Sequence, residues 1–488
     1  MRKAFRFLPV LTGIVFSLLG LGAVLAPSQL GLSLGVAPMD GAGYGAIRGD
    51  LGAFFLGIAT LSFLGLQAGR ERLLNIPIAL LCVVVTARII AQVANGPSEA
   101  NIRALTVEVL LLLALVAGRL AAIRESGAPG KGMRGVLALM VIGALVLFGV
   151  INFRREIALN VIRRNLESSL ANPLIPSLPA GLNAGLCGSG APLADPGRSG
   201  PCVFVIAAGH VYVVDAGDGT TRRMSLMRVP PGQIEGIFLT HFHSDHIGGL
   251  GEMMLSRWTS VGHKEPVNVY GPQGVESVVE GFNQAYRLDS GYRVAHHGPE
   301  AVPPAGAGGV AHPFTMADDG ASQVILQRDG LTVTAFPVNH KPISPAVGYR
   351  FDYQGRSVVI SGDTAPTDSL VKAAKDADVL FHEGLQTAMV DIMREVGERH
   401  PGTNLAKIAH DIPSYHTSPE AAAKEAAQAG VKYLVFYHII PPLASSYLNA
   451  AFLGDAPKFY NGPILVGKDG TMLNLPPNSK AVSVRELM

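Results

Sequence analysis

The sequence predicts two unlike parts, an all-α transmembrane bundle followed by an α/β domain. Two observations carry this. Up to residue 152 the chain is dominated by Leu, Val, Ala, Gly and Ile with few charges, and beyond it charges, histidines and turn formers take ordinary frequencies. In that second part, the apolar run Ile234–Leu239 reads as a buried strand followed by a turn where a helix starts, and Val267–Tyr270 as a strand ending in a turn, elements of an α/β fold. The expected boundaries are 1–152 for the transmembrane region, 153–180 for a juxtamembrane helix and linker, and 181–488 for the α/β domain. Over all 488 residues the formal charge is +2, so there is no basic signature of a nucleic-acid partner.

Five apolar stretches, about Leu8–Ala26, Leu51–Ala68, Leu73–Ala94, Leu105–Ala122 and Val136–Ile151, lie near the roughly 20 residues a hydrocarbon core requires. A cleaved signal peptide explains only the first, so a multi-pass anchor in the bilayer of a bacterial inner membrane is expected. Arg2, Lys3 and Arg6 precede the first stretch. Arg70 and Arg72 follow the second, and Arg119, Arg124, Lys131 and Arg134 cluster around the loop after the fourth. This bias places the N-terminus in the cytoplasm and, after an odd number of spans, the α/β domain in the periplasm. Arg154, Arg155, Arg163 and Arg164 oppose that assignment, because they follow the fifth stretch directly. Arg88 and Glu108 fall at similar depth on adjacent spans, where a structural ion pair is the expected arrangement.

Residues Asn152–Leu170 have helical spacing, and Pro173, Pro176 and Pro179 then break the chain into a linker. Cys82 sits in an apolar run as a small buried side chain. Cys187 and Cys202 open the second domain, and two readings stand: a disulfide if the domain faces an oxidising compartment, or two buried thiols.

The chemistry concentrates in Thr240-His241-Phe242-His243-Ser244-Asp245-His246. His241 and His243, two apart at a strand end, face one side and suit one metal. Asp245 and His246 fall in the turn where a helix expected over Ile247–Trp258 begins, and address a second. Neutral imidazoles with a hard carboxylate suit Zn²⁺ and leave room for water.

HxHxDH after an apolar strand resembles the metal motif of the metallo-β-lactamase superfamily, and further motifs follow in that family's order. They are Asp215 in VVDAGDG, the turn Gly271-Pro272-Gln273-Gly274, His340 in FPVNHKPISP, Asp363 in VVISGDT and His438 in YLVFYHIIPP. The resemblance covers roughly residues 183–475 and implies an αββα sandwich. It implies one metal on His241, His243 and His340, a second on Asp245, His246 and His438, and Asp363 between them, with Asp215 as buttress. Two Zn²⁺ are expected, with Mn²⁺ as a substitute, activating a bridging hydroxide for hydrolysis.

Phe381-His382-Glu383-Gly384 resembles the HEAT loop of tRNase Z enzymes, and Tyr415-His416-Thr417-Ser418-Pro419-Glu420 their HST motif. The resemblance implies His416 as general acid to the leaving oxygen, Glu383 as its orienting carboxylate, and Asp245 as a ligand that can also accept a proton. Cys187–Pro192 and Asp195–Cys202 resemble the opening of periplasmic arylsulfatases and related phosphodiesterases of the same fold. His340 and Asp363 are separated only by two strands and a Gln354-Gly355 turn, with no tRNA-gripping insertion. The expectation is therefore a membrane-anchored hydrolase of phosphate diesters or sulfate esters acting on a small anionic substrate rather than nucleic acid, with Arg198 steadying the anion or else pairing with Asp195. The alternatives are a tRNase Z-like ribonuclease, and a membrane transport or sensor protein with an accessory domain of this fold. Three further features are expected: an irregular loop over Ala295–Gly320 carrying His296, His297 and His312, a helical lid over Leu385–Pro413, and a closing hairpin over Gly462–Leu475.

Overall fold

The computed structural model describes residues 7–34, 41–67, 69–95, 99–126, 154–171, 174–316 and 321–488. The chain divides into two compact units, Met1–Ser168 and Ser169–Met488.

In the first unit, three helical segments are long and apolar enough to cross a membrane: Gly43–Leu64, Glu71–Gln92 and Ile102–Ala122. A shorter apolar helix, Pro9–Leu25, precedes them, and the expected fifth stretch, Val136–Ile151, lies outside the described residues. Phe16, Ile58, Leu74, Leu81 and Leu115 form the shared core of these helices. Arg88 pairs with both oxygens of Glu108 at 2.8–2.9 Å, which settles two charges that would otherwise be costly among apolar helices. The helix expected after this region runs from Arg154 to Ala171.

The second unit is a sandwich of two sheets. One sheet holds β1 (Leu182–Gly188), β2 (Cys202–Ala207), β3 (His210–Val214), β4 (Ile234–Phe238), β5 (Val267–Pro272), β6 (Gly309–Phe314), β14 (Thr471–Leu475) and β15 (Ser483–Glu486), in the order β15-β14-β1-β2-β3-β4-β5-β6. The other runs β13-β12-β11-β10-β9-β8-β7, with β7 (Gln323–Arg328), β8 (Leu331–Pro337), β9 (Val347–Tyr353), β10 (Arg356–Ile360), β11 (Val379–Leu385), β12 (Tyr433–Ile440) and β13 (Ile464–Val466). Alternate residues of facing strands, among them Val205, Phe238, Tyr349, Phe351 and Phe381, fill the space between the sheets. Helices cover the outer faces, burying Met224, Leu250 and Met253 on one side and Leu370, Ala422 and Ala426 on the other. This is the αββα arrangement. It is stabilised chiefly by apolar side chains that each contribute roughly 1.5–3 kcal/mol when fully buried.

Local chemistry explains the connections that matter for the site. Gln354 and Gly355 both take positive φ, +50° and +72°, the requirement of the two-residue turn that pairs β9 with β10. The helix Pro419–Ala429 starts on Ser418, whose side chain accepts from the Ala421 amide, and stops at Gly430 in left-handed backbone. That cap fixes His416 and Thr417 immediately before the helix.

Several expectations are corrected. His296 and His297 end a long helix, Val275–His297, and His312 lies on β6 bonded to Asn268 at 2.8 Å, so Ala295–Gly320 is not one irregular loop. The single helix expected over Ile247–Trp258 is two, Ser244–Ile247 and Leu250–Val261, broken at Gly248-Gly249. Gly462–Leu475 is not a hairpin. β13 pairs in parallel with β12, whereas β14 pairs with β1 in the opposite sheet, so the Lys468-Asp469-Gly470 turn crosses between sheets. Leu385–Pro413 does fold as helices, Thr387–Glu398 and Leu405–Asp411.

Candidate metal centre

The ends of β3, β4, β8, β10, β11 and β12 converge on one edge of the sandwich, and the polar residues of the motifs meet there. Two of them stand in left-handed backbone, Asp215 at φ +60° and His438 at φ +45°, a conformation non-glycine residues adopt rarely and hold only under surrounding constraint. For His438 the cause is a bulge. Glu383 pairs with Tyr437 and Gly384 with Ile439, so His438 is the extra residue and is turned towards the centre.

One group comprises His241, His243, His340 and Asp363, and another Asp245, His246 and His438. Within each, the ligand atoms lie within 4.8 Å of one another. His243 Nδ1 is 3.0 Å from His241 Nε2 and 3.4 Å from His340 Nε2. Asp363 Oδ2 is 3.9 Å from His241 Nε2 and from His340 Nε2. Bonds of 2.0–2.1 Å to a tetrahedral ion separate ligands by roughly 3.3 Å, so these spacings fit such an ion. In the second group Asp245 Oδ2 is 3.5 Å from His246 Nε2 and 3.3 Å from His438 Nε2. Asp363 Oδ2 reaches the same two nitrogens at 3.3 and 3.2 Å, so this carboxylate belongs to both groups.

The outer partners orient the ligands. His246 Nδ1 meets Asp215 Oδ2 at 2.8 Å, and the Thr240 amide and hydroxyl donate to the same carboxylate at 2.8 Å each. His340 Nδ1 donates to the Tyr415 carbonyl at 3.0 Å, leaving Nε2 for the centre. His246 Nε2 and Asp363 Oδ1 are buried without a hydrogen-bond partner among the described residues. Buried polar atoms are otherwise nearly always satisfied, and two orphans facing a cluster of imidazoles and carboxylates fit a bound cation.

The electrostatics agree. Burial pushes the imidazoles of His241, His243 and His340 below their ordinary range, which keeps them neutral. Against burial, the neighbouring His438 and His246 hold the Asp363 carboxyl well below the usual carboxylate range. His416 behaves differently: burial opposes its charge, but the Glu383 carboxylate raises its pKa. Its Nδ1 is 3.1 Å from Glu383 Oε1, which also accepts the Thr417 amide at 2.8 Å. A ligand atom of His416 lies within 4.8 Å of those of Asp363 and His438. Beside the centre is a cleft of about 380 Å³ lined by His243, His340, Pro342, Ile343, Asp411, Ser414 and Tyr415. Three of those residues, Asp411, Ser414 and Tyr415, come from the end of the helical segment after β11 and the stretch leading to His416.

All eight polar residues expected at the centre, His241, His243, Asp245, His246, His340, Asp363, His416 and His438, are thus brought together, with Asp215 and Glu383 behind them. Arg198 is placed otherwise. Its guanidinium meets Asp195 at 3.4 Å and the Gly467 carbonyl at 3.3 Å, so the loop-pairing alternative describes its contacts. Cys187 and Cys202 form a disulfide. Sequence reading missed Thr240, the Tyr415 carbonyl and Asp469. Thr240 and Tyr415 stand at the start of the quoted motifs and so carried a local signal, whereas Asp469 carried none.

Comparison with known proteins gives the family. Residues 210–439 match the family described as beta-lactamase superfamily domain. Ribonuclease Z of Mycobacterium avium (strain 104) is 36% identical over 262 residues, which are 53% of this chain and 86% of that protein. Ribonuclease Z of Mycobacterium bovis (strain BCG / Pasteur 1173P2) is 34% identical over 286 residues, 58% of this chain and 95% of that protein. Among solved structures, the short form of human tRNase Z aligns with a TM-score of 0.44 at 22% identity, covering 60% of this chain and 99% of its own.

These relatives overturn the expectation of an arylsulfatase-like hydrolase of small anionic esters with no nucleic-acid partner. The HEAT-like and HST-like motifs are shared by both branches and did not separate them. That expectation rests on the likeness of Cys187–Pro192 and Asp195–Cys202 to the arylsulfatase opening, on a missing insertion, on the lack of a basic signature and on an exported domain, yet the match runs along 86–95% of these relatives' length. Net charge averages over a whole surface and does not report on one cleft. By its sequence relatives, its fold and the His/Asp cluster at the sheet ends, the chain belongs to the ribonuclease Z family of metallo-β-lactamase-fold hydrolases, metal-dependent enzymes that act on ester bonds.

Proposed function

We propose that the C-terminal unit is a tRNase Z-like ribonuclease that hydrolyses phosphodiester bonds of RNA. The observation that carries this reading is the similarity to proteins named ribonuclease Z along nearly their whole length. His241, His243 and His340 would hold one Zn²⁺, Asp245, His246 and His438 a second, and Asp363 would lie between them. Bound there, the two ions supply Lewis acidity and lower the pKa of water, the chemistry that hydrolysis of a phosphodiester requires. The protein's own residues do the rest. Asp215 and the Tyr415 carbonyl fix the tautomers and ring planes of His246 and His340. Asp245 accepts a proton from the attacking water. His416, whose pKa the Glu383 carboxylate raises, gives its proton from Nε2 to the leaving oxygen, and Glu383 keeps Nδ1 occupied so that Nε2 faces the substrate.

The test is cleavage of a precursor tRNA transcript by the full-length protein in detergent, with Zn²⁺ or Mn²⁺ added. Site-specific cleavage that vanishes in Asp363→Ala supports the reading. An intact transcript under conditions where an aryl phosphodiester is turned over rejects it.

For location, the proposal is a multi-pass inner-membrane anchor with the hydrolase unit on the periplasmic side. Three apolar helices of spanning length, the positive bias of alternate loops and the Cys187–Cys202 disulfide support it. The RNA met there would be RNA outside the cytoplasm. A C-terminal alkaline phosphatase fusion active in whole cells is the expected result. An active cytoplasmic reporter at the same position would reverse the orientation and make cytoplasmic precursor tRNA the substrate.

A further inference from the structure

The loop between β1 and β2, residues Ser189–Pro201, contributes no ligand to the centre, yet it touches both of the separate elements that carry Asp245 and His438. The Ser189 carbonyl accepts from the amide of Ile439, the residue after His438, at 3.1 Å. At the other end of the loop, the Gly200 amide donates to the Asp218 carbonyl at 3.0 Å. Gly200 also lies so close to the Asp245 carbonyl that a Cβ there would stand 2.9 Å from the oxygen. His438 belongs to β12 in one sheet, and Asp245 follows β4 in the other. The loop therefore spans the seam across which Asp245 Oδ2 and His438 Nε2 face each other at 3.3 Å.

Two devices hold the loop. The Cys187–Cys202 disulfide ties its ends. Asp469, buried at 4% exposure in the turn that crosses from β13 to β14, holds its interior. Oδ1 accepts from the Ser189 amide and hydroxyl at 2.9 Å each, and Oδ2 from the Ser199 amide at 2.8 Å with Arg223 at 3.2 Å. A carboxylate receiving three donors from both ends of one loop determines its shape, and it acts on the ligands through that loop, one step further out than a group bonded to a ligand. The group formed by His241, His243 and His340 relies on other supports, the Thr240 hydroxyl at 3.1 Å from His241 Nδ1 and the Tyr415 carbonyl on His340.

We propose that Asp469 and the Cys187–Cys202 disulfide are positioning elements for the Asp245–His246–His438 group, setting the separation of Asp245 from His438 and so the affinity of one of the two metal positions. This rests on the two-metal reading above. Zinc content and competitive-chelator titration of the full-length protein in detergent test it, comparing the wild type with Asp469→Ala, Asp469→Asn and the Cys187→Ser/Cys202→Ser pair. The expected wild type binds two ions. In Asp469→Ala one dissociation constant rises about tenfold, the low end of what losing a partner bonded directly to a ligand costs, while the other stays within about twofold. Asp469→Asn, which keeps one acceptor oxygen, and the cysteine pair shift the same constant by less.

A folded Asp469→Ala protein with both affinities unchanged, or with both reduced together, overturns the proposal. If Asp469→Ala does not fold, Asp469→Asn and the Cys187→Ser/Cys202→Ser pair decide between the same two outcomes. A wild type that binds fewer than two ions refutes the two-metal reading instead, so the two failures are distinct.

Discussion

Two carboxylates beside opposite ends of β10 are equally buried, each 2% exposed, and are treated in opposite ways. Asp378, next to the start of the strand, is fully partnered. Arg356 donates to both its oxygens at 3.0 Å, the Ser357 amide donates at 2.9 Å and Lys432 at 2.7 Å. Asp363, just past the end of the strand, has one oxygen without a partner among the described residues and the other surrounded by four imidazole nitrogens at 3.2–3.9 Å. The same strand thus carries a closed charge network at one end and an open one at the other. A buried charge whose partners are all supplied serves stability. One left open in a cleft is where a cation and a reaction fit.

The comparison is tested first at Asp363. Asp363→Ala is expected to lower RNA cleavage on the order of 10³-fold or more, because both proposed metal positions would lose a shared ligand. The urea midpoint of the metal-free protein should fall, but by less than that of Asp378→Ala, since Asp363 gives up its contacts with the imidazoles of His246 and His438 and leaves no buried guanidinium behind. A metal-free loss as large as that of Asp378→Ala would make Asp363 structural and erase the contrast.

His416 comes next. His416→Ala should slow cleavage of RNA about 10²–10⁴-fold, the usual contribution of a positioned acid. Bis(p-nitrophenyl) phosphate, whose leaving group needs no proton, should lose only a few-fold. Equal losses on the two substrates would remove the proton-donor role.

At the closed end, Asp378→Ala leaves the buried Arg356 charge without its carboxylate, held by the Pro476 and Ala481 carbonyls. It should cost about 3–5 kcal/mol in urea unfolding while leaving kcat of the folded enzyme unchanged. A cost below about 1 kcal/mol would mean that the network is not what holds that edge.

The smallest effect is in pH. Against burial, Arg356 and Lys432 keep the Asp378 carboxyl below its ordinary value. A depressed carboxylate stabilises the fold above its unfolded pKa of about 3.9, and the contribution fades as pH falls through the lower folded value. Between pH 5 and pH 3 the wild-type midpoint should therefore fall more steeply than that of Asp378→Asn. Parallel curves would contradict the assignment.

The metal centre was legible in the sequence because ligand chemistry restricts residue type and spacing at once. His241, His243, Asp245 and His246 sit in one turn, and His340, Asp363 and His438 each close an apolar strand run. Ligands imposed by strand ends are local, and a local pattern survives in one dimension. The branch of the family was less legible, since the residues around His416 and Glu383 serve more than one kind of ester hydrolase. Full-length similarity to proteins named ribonuclease Z supplied what the motifs lacked.

By itself, then, the sequence determined the division into an apolar helical part and a globular part, the α/β alternation and the residues able to bind metal. Only the tertiary structure decided that β13 and β14 part into different sheets, that Arg198 is occupied by Asp195 and Gly467, and that Cys187 meets Cys202. It also decided that Asp469, 280 residues from Ser189, holds the loop against the centre. The physical reason is that metal ligation selects side chains that few other roles require together. Hydrogen bonds to backbone amides and carbonyls, such as those of Ser189, Ser199 and Tyr415, are open to any residue and take their partners from the fold.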